Sequence, residues 1–183
     1  MDAQELKIDG VWLFTPRRFA DARGYFVETY TKKKFETHLT GFDFVQDNES
    51  LSTEKYTVRG LHYQAPPFAQ DKLVRVVSGS AYDVVVDVRR GSPTYGRSVG
   101  ATLSAKNGVQ LLAPKGFLHG FMTLEPNTIV TYKVTDYYDA EADGAVHWAS
   151  PGLDIDWPVG PDQATVSDKD GMAPQFSEFS TPF

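Results

Sequence analysis

Arg59, His62, Lys72 and Arg75 fall within one short stretch, "VRGLHYQAPPFAQDKLVR" (Val58 to Arg75), of a chain whose formal net charge is −6. A guanidinium holds a phosphate through two parallel hydrogen bonds, and an ammonium serves as a point charge. An imidazole, with an ordinary pKa of about 6.5, is available as a base at pH 7. Cations gathered around such a base in an acidic protein point to a small anionic ligand, since nucleic-acid binders carry broad basic surfaces. The sequence has neither a P-loop nor a Gly-rich dinucleotide fingerprint, so a bound phosphate would be held by side chains. His119, in "PKGFLHGF", is a second candidate. A lone histidine is more often a hydrogen-bonded structural residue, but His62 beside a cation-rich strand is placed for chemistry. A stable transition-metal site needs three or four protein ligands. Here Gln64 stands two residues after His62, no acid follows at metal-ligand distance and there is no cysteine, so the site is read as metal-free.

The elements that must position these groups are mostly strands. "KLVRVVSGSAYDVVVDVR" (Lys72 to Arg89) is two β-branched runs divided by Ser-Gly-Ser. In its second run Tyr82, Val84, Val86 and Val88 alternate with Asp83, Val85, Asp87 and Arg89, a period of two that gives the strand two different faces. By the same alternation Arg75 lies on the face opposite Lys72 and points outward. Asn107-Gly108 between strand-like runs predicts a hairpin, and "NTIVTYKVTDYYD" predicts a further strand. Helix is sparse. "YTKKKFETHL" (Tyr30 to Leu39) is the best stretch, the tail from about Gln163 holds a short second one, and Lys32 to Lys34 read as a solvated face. The 183 residues suit one domain, 1–183, without a linker or repeat. The polar N-terminus is no signal peptide, the apolar runs are far too short for a membrane span, and the lack of cysteine fits a cytoplasmic protein. Many short strands without long helices predict an all-β cupin-like jelly-roll barrel with a few short helices.

Several motifs together carry a resemblance: "FADARGYFVETY", "FVQDNESLS", the long segment from "VRGLHYQ" to "RRGSPTYG", "APKGFLHGFMTL", "TYKVTDYY", "IDWP" and "SDKD". From about Phe14 to Pro174 they resemble the dTDP-4-dehydrorhamnose 3,5-epimerase family. The resemblance implies a cupin-like fold, a homodimer, no cofactor, and a dTDP-linked 4-keto-6-deoxyhexose as substrate. It implies His62 as base, Asp170 of "SDKD" as its partner, and Tyr132 as acid. It further implies substrate contacts from Arg23, Glu28, Gln46, Asp47, Asn48, Arg59, Lys72, His119 and Lys169, with Tyr138 stacking on thymine. Asp143 stands where the family carries Glu, which keeps the charge and shortens the reach. The stretch Leu6 to Thr15 reads as a strand outside the barrel, free to add to the partner's sheet.

The chemistry agrees with these residue types. With a ketone at C4, the hydrogens on C3 and C5 are both acidic. Removing one gives an enolate, and returning a proton on the other face inverts the carbon. Two groups on opposite faces are therefore needed: an imidazole base held by a carboxylate, and a tyrosine, whose ordinary pKa of about 10 keeps it protonated. Charge growing on the C4 oxygen needs a cation, and Lys72 can supply stabilisation of about 3 kcal/mol. Asp83 and Asp87 remain alternative partners for His62. The rival readings are an epimerase acting at a single carbon, a cupin that binds a sugar nucleotide without turnover and, more remotely, a metal-dependent oxygenase.

Overall fold

The computed structural model describes residues 1–38 and 41–183. Two antiparallel sheets face each other. The first contains β1 (Asp2–Glu5), β2 (Trp12–Thr15), β5 (Gln46–Ser52), β7 (Lys72–Ser78), β10 (Gln110–Ala113) and β12 (Thr128–Val134), in the order β1-β2-β10-β7-β12-β5. The second contains β6 (Val58–Gln64), β8 (Ser80–Asp87), β9 (Ser98–Ser104), β11 (Phe117–Thr123) and β13 (Asp143–Ala145), in the order β13-β6-β11-β8-β9. A separate hairpin joins β3 (Arg18–Asp21) to β4 (Gly24–Val27). The helices are single turns: α1 (Lys32–Phe35), α2 (Asp168–Gly171) and a 3-10 turn at Phe176–Glu178. This is a cupin-like jelly roll, and among the described residues no helix is long and apolar enough to cross a membrane.

The alternation read in β8 divides between two cores. Val84, Val86 and Val88 face outward from their sheet, onto Leu61, Trp148 and the C-terminal aromatics Phe176, Phe179 and Phe183. Val85 faces inward, where it joins Val74, Val76, Leu103, Leu111 and Val130 between the sheets. Full burial of each such side chain contributes on the order of 1.5–3 kcal/mol. This inner apolar packing borders the polar cavity described below, and Phe121 belongs to both. The β7-to-β8 corner requires Gly79. Its φ is +72°, and a Cβ there would meet Thr128 Oγ1 at 2.4 Å. The chain turns here from the first sheet into the second.

Three local expectations are revised. Leu6 to Thr15 is not a spare strand: Trp12–Thr15 lies inside the first sheet, paired with both β1 and β10, and the edge strand is β1. Phe14 on this segment is fully buried, packed with Phe35, Leu73 and Leu112, and that burial draws it into the sheet. Asn107-Gly108 is a turn but closes no hairpin. Asn107 accepts bonds from the Ser104 and Val109 amides, and the turn carries the chain from β9 in one sheet to β10 in the other. The helix expected over Tyr30 to Leu39 is shorter, and Leu39 lies outside the described residues. Lys32, Lys33 and Lys34 are exposed, as a solvated face requires.

Candidate active site

Two strands of the second sheet, β6 and β11, bring His62 and His119 directly opposite each other. The pairing is irregular one step further on. His119 pairs with His62 and Phe121 with Arg59, so β6 spends three residues where β11 spends two. This is a β-bulge, which re-aims a side chain. Strict alternation would send Arg59 and His62 to opposite faces. With the bulge both line the same cavity, while Leu61 and Tyr63 pack on the outer core. Gly60 permits the distortion. Its φ is +120°, and a Cβ there would meet Gly120 Cα and the His119 carbonyl oxygen, each at 2.7 Å.

The cavity holds about 450 Å³ and runs between the sheets. His62 and His119 reach it from the second sheet, Lys72 and Tyr132 from the first. His62 Nε2 lies 2.7 Å from Asp170 Oδ1. Asp170 is only 3% exposed and also accepts the Gly60 amide on Oδ2 at 3.2 Å. Ser167 caps α2 by accepting the Asp170 amide at 3.1 Å, which fixes the backbone that carries the carboxylate. Burial alone would raise the pKa of Asp170. The hydrogen bond and charge of His62, the Gly60 amide and nearby Lys169 outweigh it, and the carboxyl titrates below its usual range. A charged carboxylate is thus held against the imidazole. Asp83 is engaged elsewhere, 3.0 and 3.1 Å from His119 Nε2. Asp87 accepts from Arg89, Ser92 and Thr94 in a turn. Of the three candidate partners, Asp170 is the one on His62.

Burial lowers the Lys72 ammonium from its ordinary 10.5 to about 8, against the opposing pull of Asp143 and Asp83. Burial raises the Tyr132 phenol, helped by Asp143 and opposed by Arg59, so its hydroxyl stays protonated at neutral pH. Arg59 is anchored on β5, donating through Nε to Ser52 Oγ at 3.1 Å and through NH2 to the Leu51 carbonyl at 2.8 Å. Its remaining N–H groups are left for the cavity. A smaller polar extension of about 270 Å³ continues past His62 and Tyr132, and Gln46, Asn48, Tyr138, Asp143 and Lys169 line it. Gln46 donates to Asn48 at 2.8 Å, Lys169 pairs with Asp143, and the Tyr138 hydroxyl lies 3.4 Å from Asp143. The ring of Tyr138 is 61% exposed and presents a flat apolar surface at the rim. Among the described residues no three histidine or carboxylate side chains converge to hold a metal ion.

The chain that carries this His-Asp pair, lysine and opposed tyrosine has relatives. The family model described as dTDP-4-dehydrorhamnose 3,5-epimerase matches residues 5–178. The chain belongs to this family. A dTDP-4-dehydrorhamnose 3,5-epimerase of Sinorhizobium fredii is 49% identical to it over 98% of this chain and 92% of its own length. The crystal structure of the Bacillus anthracis enzyme, with TDP and pyrophosphate bound, is 48% identical, covers 95% of this chain and 99% of its own, and superposes with a TM-score of 0.91. The Legionella pneumophila enzyme, solved with dTDP-4-keto-L-rhamnose, is 41% identical over 98% of this chain and 94% of its own, with a TM-score of 0.92.

Within this member of the epimerase family, three of the residues expected at the ligand lie away from the cavity. Asp47 falls on the outer face of β5, between inward-facing Gln46 and Asn48, and pairs with Lys133 at 2.8 Å. Period-two alternation removes it from the cavity. Arg23 sits at the tip of the β3–β4 hairpin, 89% exposed and paired with Asp21 at 2.6 Å. Glu28, just after the hairpin, is engaged by Lys34 and Thr31 on the exterior. Arg75 lies on the face opposite Lys72, in a second concavity of about 390 Å³ on the outside of the first sheet. The reading of the sequence passed over Ser50, Phe121, Thr165, Val166 and Ser167, which also line the main cavity. Ser50 alone gave a signal, through its period-two spacing from Asn48.

Proposed function

We propose that the chain converts dTDP-4-dehydro-6-deoxy-D-glucose into dTDP-4-dehydro-L-rhamnose by inverting C3 and C5 in turn, in the cytoplasm and with no cofactor. The observation that carries this reading is that His62, backed by Asp170 at 2.7 Å, and Tyr132 rise from opposing sheets into one cavity. A sugar ring between the sheets has one face toward each group. Neutral His62 takes a proton from the carbon next to the ketone, and the C–H electron pair becomes the enolate. Asp170 stabilises the imidazolium that forms. The charge on the C4 oxygen is met by Lys72. Tyr132 returns a proton to the opposite face, the enolate electrons re-form the C–H bond, and solvent restores both groups. No electrons leave the substrate. Arg59 takes the diphosphate, and Gln46, Asn48, Tyr138, Asp143 and Lys169 form the end suited to a planar base. In deuterated water, the wild-type protein acting on the 4-keto sugar nucleotide is expected to place label at both C3 and C5. Label at one carbon selects a single-centre epimerase, and none at all removes the catalytic reading.

The buried ammonium gives this reaction a pH signature. Because the Lys72 pKa is lowered to about 8, its charge is present below that pH and lost above it. The free-enzyme parameter kcat/KM is therefore expected to fall as pH rises through about 8. In Lys72→Arg, where the cation does not titrate, that limb should disappear even if the rate is lower. A profile flat across this range would exclude the Lys72 charge from the mechanism.

We propose further that the working unit is a homodimer in which the hairpin of one subunit completes the cavity of the other. The hairpin carries Arg23 outward with exposed Phe19, Tyr25 and Phe26, a surface suited to burial against another copy. Complementation tests this. Arg23→Ala and His62→Ala, each nearly inactive alone, should regain about a quarter of the wild-type activity after subunit exchange, because half the dimers then hold one intact site. No regain on mixing would place Arg23 outside the partner's site.

A further inference from the structure

The segment between β12 and β13 belongs to neither sheet, and it carries Tyr138. Tyr137 and Tyr138 are 65% and 61% exposed, so apolar packing contributes little to holding them. The backbone polar groups of such a segment need partners from elsewhere. Three glutamines that line the polar extension supply them. Gln70 donates to the Asp136 carbonyl at 2.8 Å. Gln64 donates to the Tyr137 carbonyl at 2.9 Å and accepts the Asp139 amide at 3.0 Å. Gln46 accepts the Tyr138 amide at 3.4 Å. Gln64 has the largest share. It is 5% exposed, and its Nε2 also donates to the Phe68 carbonyl, so both of its N–H groups are used. Two carbonyls on one side and an amide on the other fix which way the carboxamide points. Gln64 stands two residues after His62 on β6, and both line the same extension. One strand therefore carries the base and the clamp on the rim.

We propose that Gln64 is a positioning residue for the nucleobase: its carboxamide holds the backbone on both sides of Tyr138 and so fixes where that ring stands relative to His62. This rests on the reading given above, in which the Tyr138 end of the cavity takes the planar base. Gln64 acts through Tyr138 rather than on the ligand, because its N–H groups are spent on the protein. Without the carboxamide, the Phe68 and Tyr137 carbonyls and the Asp139 amide turn to water at the rim, and Tyr138 takes up positions that the base does not meet. A ring set in place before binding has less freedom to lose when the base arrives. Ordering one such side chain during binding costs roughly 3- to 10-fold in affinity.

The experiment is a double-mutant cycle read by titration calorimetry with dTDP, on wild type, Gln64→Met, Tyr138→Ala and the double variant. Tyr138→Ala should weaken dTDP binding about 5- to 100-fold, the range for losing one aromatic platform under a base. Gln64→Met, which keeps the length of the side chain and removes its amide, should weaken it about 3- to 10-fold. The double variant should bind no more weakly than Tyr138→Ala alone, because without the ring there is nothing left to position. A brace that acts on the fold in general would instead show the same Gln64→Met loss in both backgrounds, and that result overturns the proposal. So does Gln64→Met binding dTDP as wild type does. If Gln64→Met does not fold, Gln64→Asn takes its place in the cycle: it keeps the amide but is one methylene shorter, and the same outcomes decide. If wild type does not bind dTDP, or Tyr138→Ala binds it as wild type does, the reading of this end of the cavity falls and takes the proposal with it. If wild type binds dTDP through Tyr138 and the two losses add, that reading stands and only the role of Gln64 falls.

Discussion

His62→Ala is expected to stop hydrogen exchange at C3 and at C5 together. Loss of a positioned general base costs about 10²- to 10⁴-fold in rate. Among the described residues, the other groups on the same wall that could act as a base are His119 and Asp170. His119 lies opposite His62 on the next strand, but its Nε2 is held by both oxygens of Asp83 and its side chain is 10% exposed, against 31% for His62. Asp170 also borders the cavity, but it is only 3% exposed and its two oxygens are held by the Gly60 amide and by the imidazole itself, 2.7 Å away. The measurement is deuterium incorporation at each carbon by NMR, run beside calorimetric binding of dTDP. The proposed nucleotide contacts lie on β5, at the rim around Tyr138 and on Arg59, so dTDP affinity should be nearly unchanged while exchange vanishes. If His62→Ala loses exchange at C5 but keeps it at C3, two different bases serve the two carbons, and the His119–Asp83 pair becomes the second. The variant should fold, since the cavity side of β6 is lined with polar groups and the apolar anchors Leu61 and Tyr63 point the other way into the outer core.

Much of this site was legible because strands repeat every two residues and the relevant motifs lie on strands. The run from Tyr82 to Arg89 displayed its two faces directly, and the opposed placement of Lys72 and Arg75 followed from counting. Counting also fails at identifiable places. Asp47 was swept in with its neighbours Gln46 and Asn48, although alternation turns it outward. Arg59 and His62 share a cavity only because a bulge at Gly60 breaks the alternation, and a bulge depends on the facing strand, here Gly120 of β11. The partner of His62 was open among three aspartates. It is decided by where α2 folds back, more than a hundred residues along the chain, and no local pattern encodes such a return. Asn107-Gly108 looked like a hairpin because its turn chemistry is that of one. The flanking strands instead pair in separate sheets, β9 with β8 and β10 with β2 and β7, and meet only across the core, where Leu103 and Leu111 join one cluster. Ser50 keeps the period of two from Asn48, but a serine in a strand does not declare a role until the burial and isolation of its oxygen are known.

Tyr132→Phe is expected to separate the two inversions. The substitution removes one oxygen and keeps the ring, which packs against the apolar interior between the sheets, so folding should survive. Arg59 and Lys72 are untouched, and the sugar nucleotide should still bind. His62 can still take the proton from C3, and the enolate formed there can recover a proton from solvent or from the same imidazolium. Label therefore still enters at C3. C5 is different. It carries the methyl group, and inverting it reshapes the ring, so a proton must arrive from the face that the first sheet covers. The side chains that line the cavity from the first sheet are Ser50, Lys72 and Tyr132; the lysine is the proposed partner of the ketone oxygen, and the Ser50 hydroxyl oxygen is buried. Burial keeps the Tyr132 hydroxyl protonated over the whole working range of pH, so it is a standing donor and its loss is not compensated by raising or lowering the pH. Formation of the doubly inverted sugar should fall about 10²- to 10⁴-fold, with C3 label accumulating in a sugar whose C5 configuration is unchanged. The time course of label at each carbon, followed by NMR in deuterated water, gives both rates from one sample. Should Tyr132→Phe produce the doubly inverted sugar at the wild-type rate, Tyr132 is a packing residue and the C5 proton comes from another group on that wall.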